Sequence, residues 1–184
     1  MKKASLRMLT EGAVMLAAAQ ILGYFRLWRM PWGGSITLSM VPLVLYAVRW
    51  GLVPGLLSGF AFGLLQLAFD SAFAVGWQSI LGDYLLAYTA MGFAGLEKGH
   101  RLGVITGSGV GGLARLAGHI VTGATVWAMY MPEEFLGLPM SGPWVYSLLY
   151  NLLYMLPNIA VTIAVFALLY KPMKKYFLAE DLEG

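Results

Sequence analysis

Residues 77–96, WQSILGDYLLAYTAMGFAGL, form an apolar stretch that decides the fold class and starts the search for a site. It is long enough for an α-helix to cross a bilayer. Its single carboxylate is Asp83, followed at once by Tyr84. A charge inside a span costs about 2.5–3.5 kcal/mol on insertion scales, so such a residue usually faces the protein interior, a water-filled cavity or a ligand. Asp83 is therefore a candidate site residue; the alternatives are a helix-end acid among headgroups or a partner of Arg115.

Composition places the whole chain in the membrane. Of its 184 residues, 59% are apolar and 11% are charged, less than half of the charged fraction of about 25% that is typical of soluble domains. The mean hydropathy is +0.72. We expect an all-α integral membrane protein, a single membrane domain over residues 1–184 with no room for a soluble catalytic or ATP-binding domain. Energy for any transport must then come from a partner or a gradient.

Six apolar segments predict a bundle of six transmembrane helices with short connections. The second is short for a straight span of ~20 residues, so we expect a short or tilted helix. The first begins like a signal peptide, but no clear cleavage site precedes Arg26, and we interpret it as a retained span. The segments cover about residues 9–25, 36–48, 52–69, 77–96, 102–129 and 143–170.

Basic residues predict the orientation, because cytoplasmic loops carry an excess of lysine and arginine. If the N-terminus is cytoplasmic, the outer ends of the segments carry only Arg26 and Arg29. Both termini are therefore expected in the cytoplasm, in a multi-pass membrane protein. The inner ends collect Lys2, Lys3, Arg7, Arg49, Lys98, Arg101, Lys171, Lys174 and Lys175.

With this topology, polar and aromatic side chains of three segments lie at one depth in the outer half of the bundle. At 1.5 Å per residue, Asp83 is roughly 10 Å below the outer end of its helix. This convergence predicts a ligand pocket that opens to the exterior. Its members are Asp83 and Tyr84, then His119, Gly123 and Trp127, then Tyr146, Tyr150 and Asn151.

The residue types in this set favour a cationic or electron-poor aromatic ligand. His119, Gly123 and Trp127 recur every four residues and predict one helical stripe. The glycine would leave a notch for a flat molecule, or would serve helix packing instead. Aromatic rings and a carboxylate bind cations through cation–π contact and charge pairing. Asn151 offers donors and an acceptor to such a ligand, or to a neighbouring helix.

Other features are expected to be structural. The chain has no cysteine and only two histidines, so disulfides, thiolate catalysis and a metal site are not expected. The glycine run GVITGSGVGGLAR lacks the ending of a phosphate loop, and no nucleotide or nucleic-acid site is expected. Arg115 is expected to act structurally. Ala13 and Ala17 form a smooth face that suits either internal packing or docking of another membrane protein.

Five runs resemble a known family when they are taken together and in order. Across about Leu9 to Tyr170, the chain resembles the thiamine-specific substrate-binding component of energy-coupling factor (ECF) transporters, which are ABC-type vitamin importers. The resemblance implies six membrane helices and a high-affinity thiamine pocket near the outer face, covered by the loop between helices one and two. It also implies a module of a membrane coupling protein and two cytoplasmic ATPases. The runs are LTEGAVMLAAAQ, GGSITLSMVPLVLYAVRWG, DYLLAYTAMGFAG, ARLAGHIVTGATVW and YNLLYMLPN.

The resemblance also implies roles for individual residues. Asp83, which stands where a member of the family carries glutamate, would bind the charged, amino-bearing part of thiamine together with Tyr84. Trp32, or Trp28 nearby, would close over the ligand from the first loop. Ala13 and Ala17 match the docking surface for the coupling protein. The remaining pocket positions are His119, Gly123, Trp127, Tyr146 and Asn151.

The leading hypothesis is therefore a substrate-capturing subunit without catalytic activity or cofactor. Only the resemblance names thiamine, since the residue chemistry alone would also admit other cationic aromatic vitamins. Two further classes stay open at this point. One is a secondary transporter driven by an ion gradient, and the other is a membrane-embedded enzyme that uses Asp83 and His119 as an acid–base pair.

Overall fold

The structure, a computed structural model, describes residues 3–31, 33–70 and 74–182, and these ranges contain six helices. Helix α4 is a continuous run of shorter pieces over residues 77–97, and each other helix is a single element. The prediction of an all-α membrane fold with six helices is confirmed, whereas the orientation of the termini stays a prediction. The single-element helices are α1 Lys3–Tyr24, α2 Met40–Trp50, α3 Leu52–Phe69, α5 Gly103–Thr125 and α6 Pro143–Phe177.

Four helical stretches are long and apolar enough to cross a membrane. Helix α2 is apolar but only 11 residues long, and it is the most enclosed helix, with Val44 and Ala47 almost completely buried. Helix α6 has 35 residues and continues past the predicted end at Tyr170. The four stretches are Leu6–Tyr24, Leu52–Phe69, Gly103–Thr125 and Pro143–Leu182.

Two small antiparallel hairpins connect helices at one end of the bundle. The first hairpin pairs β1 Trp28–Arg29 with β2 Ser35–Ile36, between α1 and α2. The second pairs β3 Glu134–Phe135 with β4 Leu138–Pro139, between α5 and α6. The hairpins thus lie in the connections that follow the first and fifth predicted segments.

Helix α4 differs from the regular α-helix predicted for residues 77–96. It is α-helical at Trp77–Ser79 and Ala87–Ala90, π-helical at Ile80–Leu86 and a 3-10 helix at Met91–Glu97. The π turn, which carries Asp83, lies directly against α5. A Cβ atom on Gly82 would stand 2.2 Å from Thr122 Oγ1, so only glycine allows this approach.

Glycines of α3 bring its backbone against the backbone of α4. A Cβ atom on Gly59 would lie 2.3 Å from the carbonyl oxygen of Tyr88, and one on Gly63 would lie 2.1 Å from that of Tyr84. Gly55 repeats the contact one turn away, 2.8 Å from the carbonyl oxygen of Gly92. Small residues at four-residue intervals are the usual means of close helix packing in membranes.

Glycines of α5 make the same kind of contact on another side of α4. A Cβ atom on Gly103 would lie 2.4 Å from the carbonyl oxygen of Glu97, and one on Gly111 would lie 2.5 Å from that of Met91. The glycine run that lacks a phosphate-loop ending is thus a packing surface. Helix α4 is held between two glycine-bearing helices, and its path is set by them.

A buried charge network closes the bundle at the end away from the hairpins. The Arg49 side chain is fully buried and donates to both oxygens of Glu11, at 3.1 and 3.2 Å, and to Asp181, at 2.9 Å. It also donates to the carbonyl of Tyr176 and lies over that residue's ring. This network ties α1 and α2 to the segment after α6. A guanidinium buried so deeply needs these partners.

Replacing Gly59 with alanine should destabilise the protein, because the new methyl group meets a backbone carbonyl that cannot rotate away. We expect a loss of about 2 kcal/mol, a fall of roughly 4–8 °C in the midpoint of thermal unfolding in detergent. Gly109→Ala is the control, since nothing lies within 4 Å of its Cβ position. Equal midpoints for the two variants would contradict the close packing of α3 on α4.

Candidate small-molecule site

A cavity of about 160 Å³ lies at the hairpin end of the bundle. This is roughly ten times the space that one water molecule needs, so a small organic molecule can enter. Helices α3, α4, α5 and α6 contribute to its wall, together with the end of α1 and the first hairpin. Of the eight binding residues that the family resemblance implies, seven line it: Asp83, Tyr84, His119, Gly123, Trp127, Tyr146 and Asn151. Tyr150, predicted from its depth, lines it as well.

The eighth predicted residue, Trp32, lies outside the described residues. The alternative, Trp28, lies on β1 with 46% of its surface exposed. The neighbouring Gly33 and Gly34 do line the cavity. The first hairpin therefore borders the site, and the choice between the two tryptophans stays a prediction.

Asp83 joins α4 to α5 and to the turn that follows α5 through two hydrogen bonds from neutral groups. His119 Nδ1 lies 2.8 Å from Asp83 Oδ1, and the indole Nε1–H of Trp127 donates to Asp83 Oδ2 at 2.8 Å. Arg115 Nε donates to His119 Nε2 at 3.3 Å. Since Nε2 accepts that bond, the imidazole is neutral and carries its proton on Nδ1, directed at Asp83.

Arg115 takes part in the site although it was expected to be structural. Its guanidinium is buried and lies 4.2 Å from the centre of the Tyr88 ring. His119 stands between Arg115 and Asp83, so the arginine acts on the carboxylate through the imidazole. The four-residue spacing of Arg115 and His119 was the available signal, because residues at that interval lie on one face of a helix.

The predicted stripe of α5 extends past the end of the α-helix. Helix α5 ends at Thr125, and Trp127 begins a 3-10 turn, Trp127–Tyr130. Trp127 still reaches the cavity beside His119. The change of pitch explains how its indole turns towards Asp83 on α4.

Gly123, Asn151 and Tyr84 already serve contacts within the protein. A Cβ atom on Gly123 would lie 2.2 Å from Ser147 Oγ, so the glycine permits close packing of α6 while it also lines the cavity. Asn151 donates to the Ser147 carbonyl at 2.8 Å and accepts from the Tyr154 hydroxyl at 2.7 Å. Tyr84 donates to the carbonyl of Asp70 at 2.9 Å.

One wall of the cavity is a row of tyrosines on α6. Tyr146, Tyr150 and Tyr154 recur every four residues, and neighbouring ring centres are 5.7 and 6.3 Å apart. Phe135 of the second hairpin packs edge-on against Tyr146 at 5.2 Å. Tyr154 was not among the predicted binding residues, although the repeat was readable from the sequence. The ring spacings are those of favourable aromatic pairs.

Charged side chains of both signs line the cavity, although the sequence drew attention to the carboxylate alone. Arg26, Arg29 and Arg115 line it together with Asp70 and Asp83. Arg26 forms an ion pair with Asp70 near the mouth. Asp83 differs from Asp70 in that its bonds come from the neutral His119 and Trp127. It is therefore the carboxylate suited to a cationic group of a ligand.

These features define a class of protein: a multi-pass helical membrane protein with a cavity built to hold a small aromatic molecule. Within the described part of the chain, no three His, Asp or Glu side chains are grouped so that they could hold a metal ion. The site thus has the composition of a ligand pocket, with aromatic walls and a few directed polar groups.

Residues 9–178 match the family described as Thiamine transporter protein (Thia_YuaJ), and the chain belongs to this family. It is 35% identical to "Thiamine transporter ThiT" of Bacillus subtilis, over 88% of this chain and 89% of the relative. It is 26% identical to the protein of the same name from Lacticaseibacillus paracasei, over 93% and 90%.

A solved structure supports the fold. The structure titled "Native-SAD phasing for ThiT from Listeria monocytogenes serovar." superposes with a TM-score of 0.81. The alignment covers 94% of this chain and 98% of that one, at 24% identity. Together with the bacterial relatives, the apolar helices make the chain a multi-pass protein of the plasma membrane, with a role in transport.

Proposed function

We propose that this protein is the thiamine-binding subunit of an ECF-type vitamin importer. It would capture thiamine in the cavity at the outer face and deliver it through an ATPase-driven coupling module. The observation that carries the proposal is Asp83, a carboxylate held by His119 and Trp127 in an aromatic cavity, in a chain of the thiamine transporter family.

The two rings of thiamine need different partners, and the cavity offers both. The thiazolium ring is a cation, which suits aromatic faces and the negative charge of Asp83. The aminopyrimidine ring can stack on aromatic side chains and form hydrogen bonds. Trp127 and Tyr146 line the cavity with the carboxylate. We assign thiamine binding to Asp83, Tyr84, His119, Gly123, Trp127, Tyr146 and Asn151, and to Trp32 in the first loop.

Thiamine can form hydrogen bonds with Asn151 and Asp83 without displacing the bonds that these residues make within the protein. The donors of Asn151 and the hydroxyl of Tyr84 are engaged within the protein. An asparagine oxygen has a second lone pair. The ligand can therefore add a bond to Asn151 without leaving a buried polar atom unpaired. Asp83 likewise retains accepting capacity beyond its two present bonds.

Coupling to ATP hydrolysis requires a surface for a partner, and α1 offers one. Ala13 and Ala17 are exposed on α1, and Val14 beside them is 64% exposed. Their exposure favours docking of a partner over internal packing, the alternative considered for this alanine pair. We propose that this face docks the membrane coupling protein, which carries two cytoplasmic ATPases, because small side chains let another helix approach closely.

Asp83→Asn should weaken thiamine binding about ten- to hundredfold, since the cation loses a charge-assisted contact worth ~1.5–3 kcal/mol. The measurement is isothermal titration of the detergent-purified protein. Glu134→Gln is the control, an acid of similar charge on the exposed second hairpin. Wild-type affinity in Asp83→Asn would remove Asp83 from the binding site.

Ala13→Trp should abolish assembly with the coupling module while thiamine binding stays at the wild-type level, because the indole blocks close approach at a surface remote from the cavity. Co-purification of the expressed module measures assembly. Leu168→Trp is the control, at a position of α6 with 80% exposure. Uptake that persists without any ATPase but collapses with the membrane potential would instead favour transport driven by a gradient.

A further inference from the structure

We infer that Asn158 is a positioning residue that seats one arm of the first hairpin on α6 and thereby sets how long a ligand stays in the cavity. The arm is residues 33–37, and it is called the seating arm below. The inference rests on the proposed function for the identity of the ligand. The seating itself is a property of the chain and can be tested without a ligand.

The Asn158 side chain holds the backbone of the seating arm on both sides of one residue. Asn158 is 2% exposed. Its Oδ1 accepts from the backbone N–H of Thr37 at 2.9 Å, and its Nδ2 donates to the carbonyl of Ser35 at 2.8 Å. Nδ2 also donates to the carbonyl of Tyr154 at 2.8 Å. The amide thus acts as a short strand would, pairing with the arm through a donor and an acceptor.

Two further contacts repeat along the same face of α6. Tyr154, one turn before Asn158, lies against Gly34, where a Cβ atom would stand 2.7 Å from the ring. Gly34 has a φ of +79°, a conformation that also favours glycine. Tyr150, a further turn back, donates its hydroxyl to the carbonyl of Gly33 at 2.8 Å. Successive turns of α6 therefore contact successive residues of the seating arm.

The seating arm is part of the cavity wall, and this links Asn158 to the ligand. Gly33, Gly34, Ser35 and Thr37 all line the cavity, whereas Asn158 does not. Asn158 acts on the ligand only through the arm. A two-stranded hairpin is at best marginally stable alone, so the first hairpin depends on α6 to stay closed. Releasing the arm should therefore speed the exit of a bound molecule.

The test compares the rates at which thiamine dissociates from variants of the purified full chain. Asn158→Ala should raise the dissociation rate of preloaded labelled thiamine about tenfold, as expected for the loss of two hydrogen bonds. The association rate should be no lower than that of the wild type. Thr162→Val is the control, because the Thr162 hydroxyl lies one turn further along α6 and donates to the carbonyl of Asn158.

A second variant changes a residue of the seating arm and leaves the side chains of α6 unchanged. Gly34→Ala pushes the arm off the Tyr154 ring, and we expect the same rise in dissociation rate. Gly137→Ala is its matched control: Gly137 has a φ of +76° in the second hairpin, with nothing within 4 Å of its Cβ position. The two substitutions impose similar backbone strain, but only the methyl group added at position 34 meets a side chain of α6. This variant decides the matter if Asn158→Ala does not fold.

Hydrogen exchange of the peptide over residues 27–37 distinguishes release of the seating arm from a general loss of stability. The amides of Leu27 and Met30 bond to Ile36 and Gly34 within the hairpin, and Asn158 touches neither. Their exchange should accelerate in Asn158→Ala and Gly34→Ala, in ligand-free protein as well as with saturating thiamine, while peptides of α5 stay unchanged.

Dissociation within twofold of the wild type in folded variants, or faster dissociation with unchanged exchange at residues 27–37, would overturn the inference. If the wild-type protein binds no thiamine, the proposed function fails, and exchange in the ligand-free protein still decides the seating. Unchanged exchange there would refute it, and faster exchange would support it.

Discussion

The close contact between the backbones of α3, α4 and α5 is the constraint on which the rest of the structure depends. Helix α4 has glycines of α3 against its carbonyl oxygens on one side and glycines of α5 on another. In a bilayer the hydrophobic effect does not drive helices together, so association relies on van der Waals packing and hydrogen bonds. Side chains at these glycine positions would separate the helices. The position of every group that α4 presents to the cavity follows from this packing.

The packing explains why a carboxylate can be kept inside the bundle. Asp83 lies on the π-helical part of α4, where Gly82 allows close contact with Thr122 of α5. At this separation His119 and Trp127 both reach the carboxylate. A charge within a span is costly unless it has partners. The same arrangement that satisfies Asp83 also places it, with aromatic neighbours, at the wall of the cavity.

Much of the fold and of the candidate site could be predicted from the sequence, because a polar residue in an apolar membrane segment is a strong signal of a buried site. A lone acid in an apolar run predicted Asp83, and a shared depth brought in His119, Trp127 and Tyr146, all of which line the cavity. The helical pitch could not be predicted in this way. The π and 3-10 parts of α4 contain no proline that could have signalled them. They lie where α4 makes close contacts with α3 and α5, and these contacts depend on the tertiary structure. For the same reason, the glycine run of α5 was recognisable as something other than a phosphate loop, but its packing partner was not.

The sequence also could not reveal residues that act on the site indirectly, through another side chain or through the first hairpin. Arg115 and Asn158 are polar residues in apolar helices, and their types alone suggested a structural role or none. Only the tertiary structure shows that Arg115 orients His119 and that Asn158 holds the first hairpin. The buried Arg49 network likewise depends on Asp181, more than a hundred residues away in the chain.

The most direct test of the central claim is a titration of intrinsic tryptophan fluorescence in the purified protein with thiamine, with riboflavin and biotin in parallel. Trp127 lies in the cavity, so binding should change its emission. We expect saturable quenching by thiamine and no saturable quenching by the other two vitamins. No response to thiamine, or a response to another vitamin instead, would contradict it.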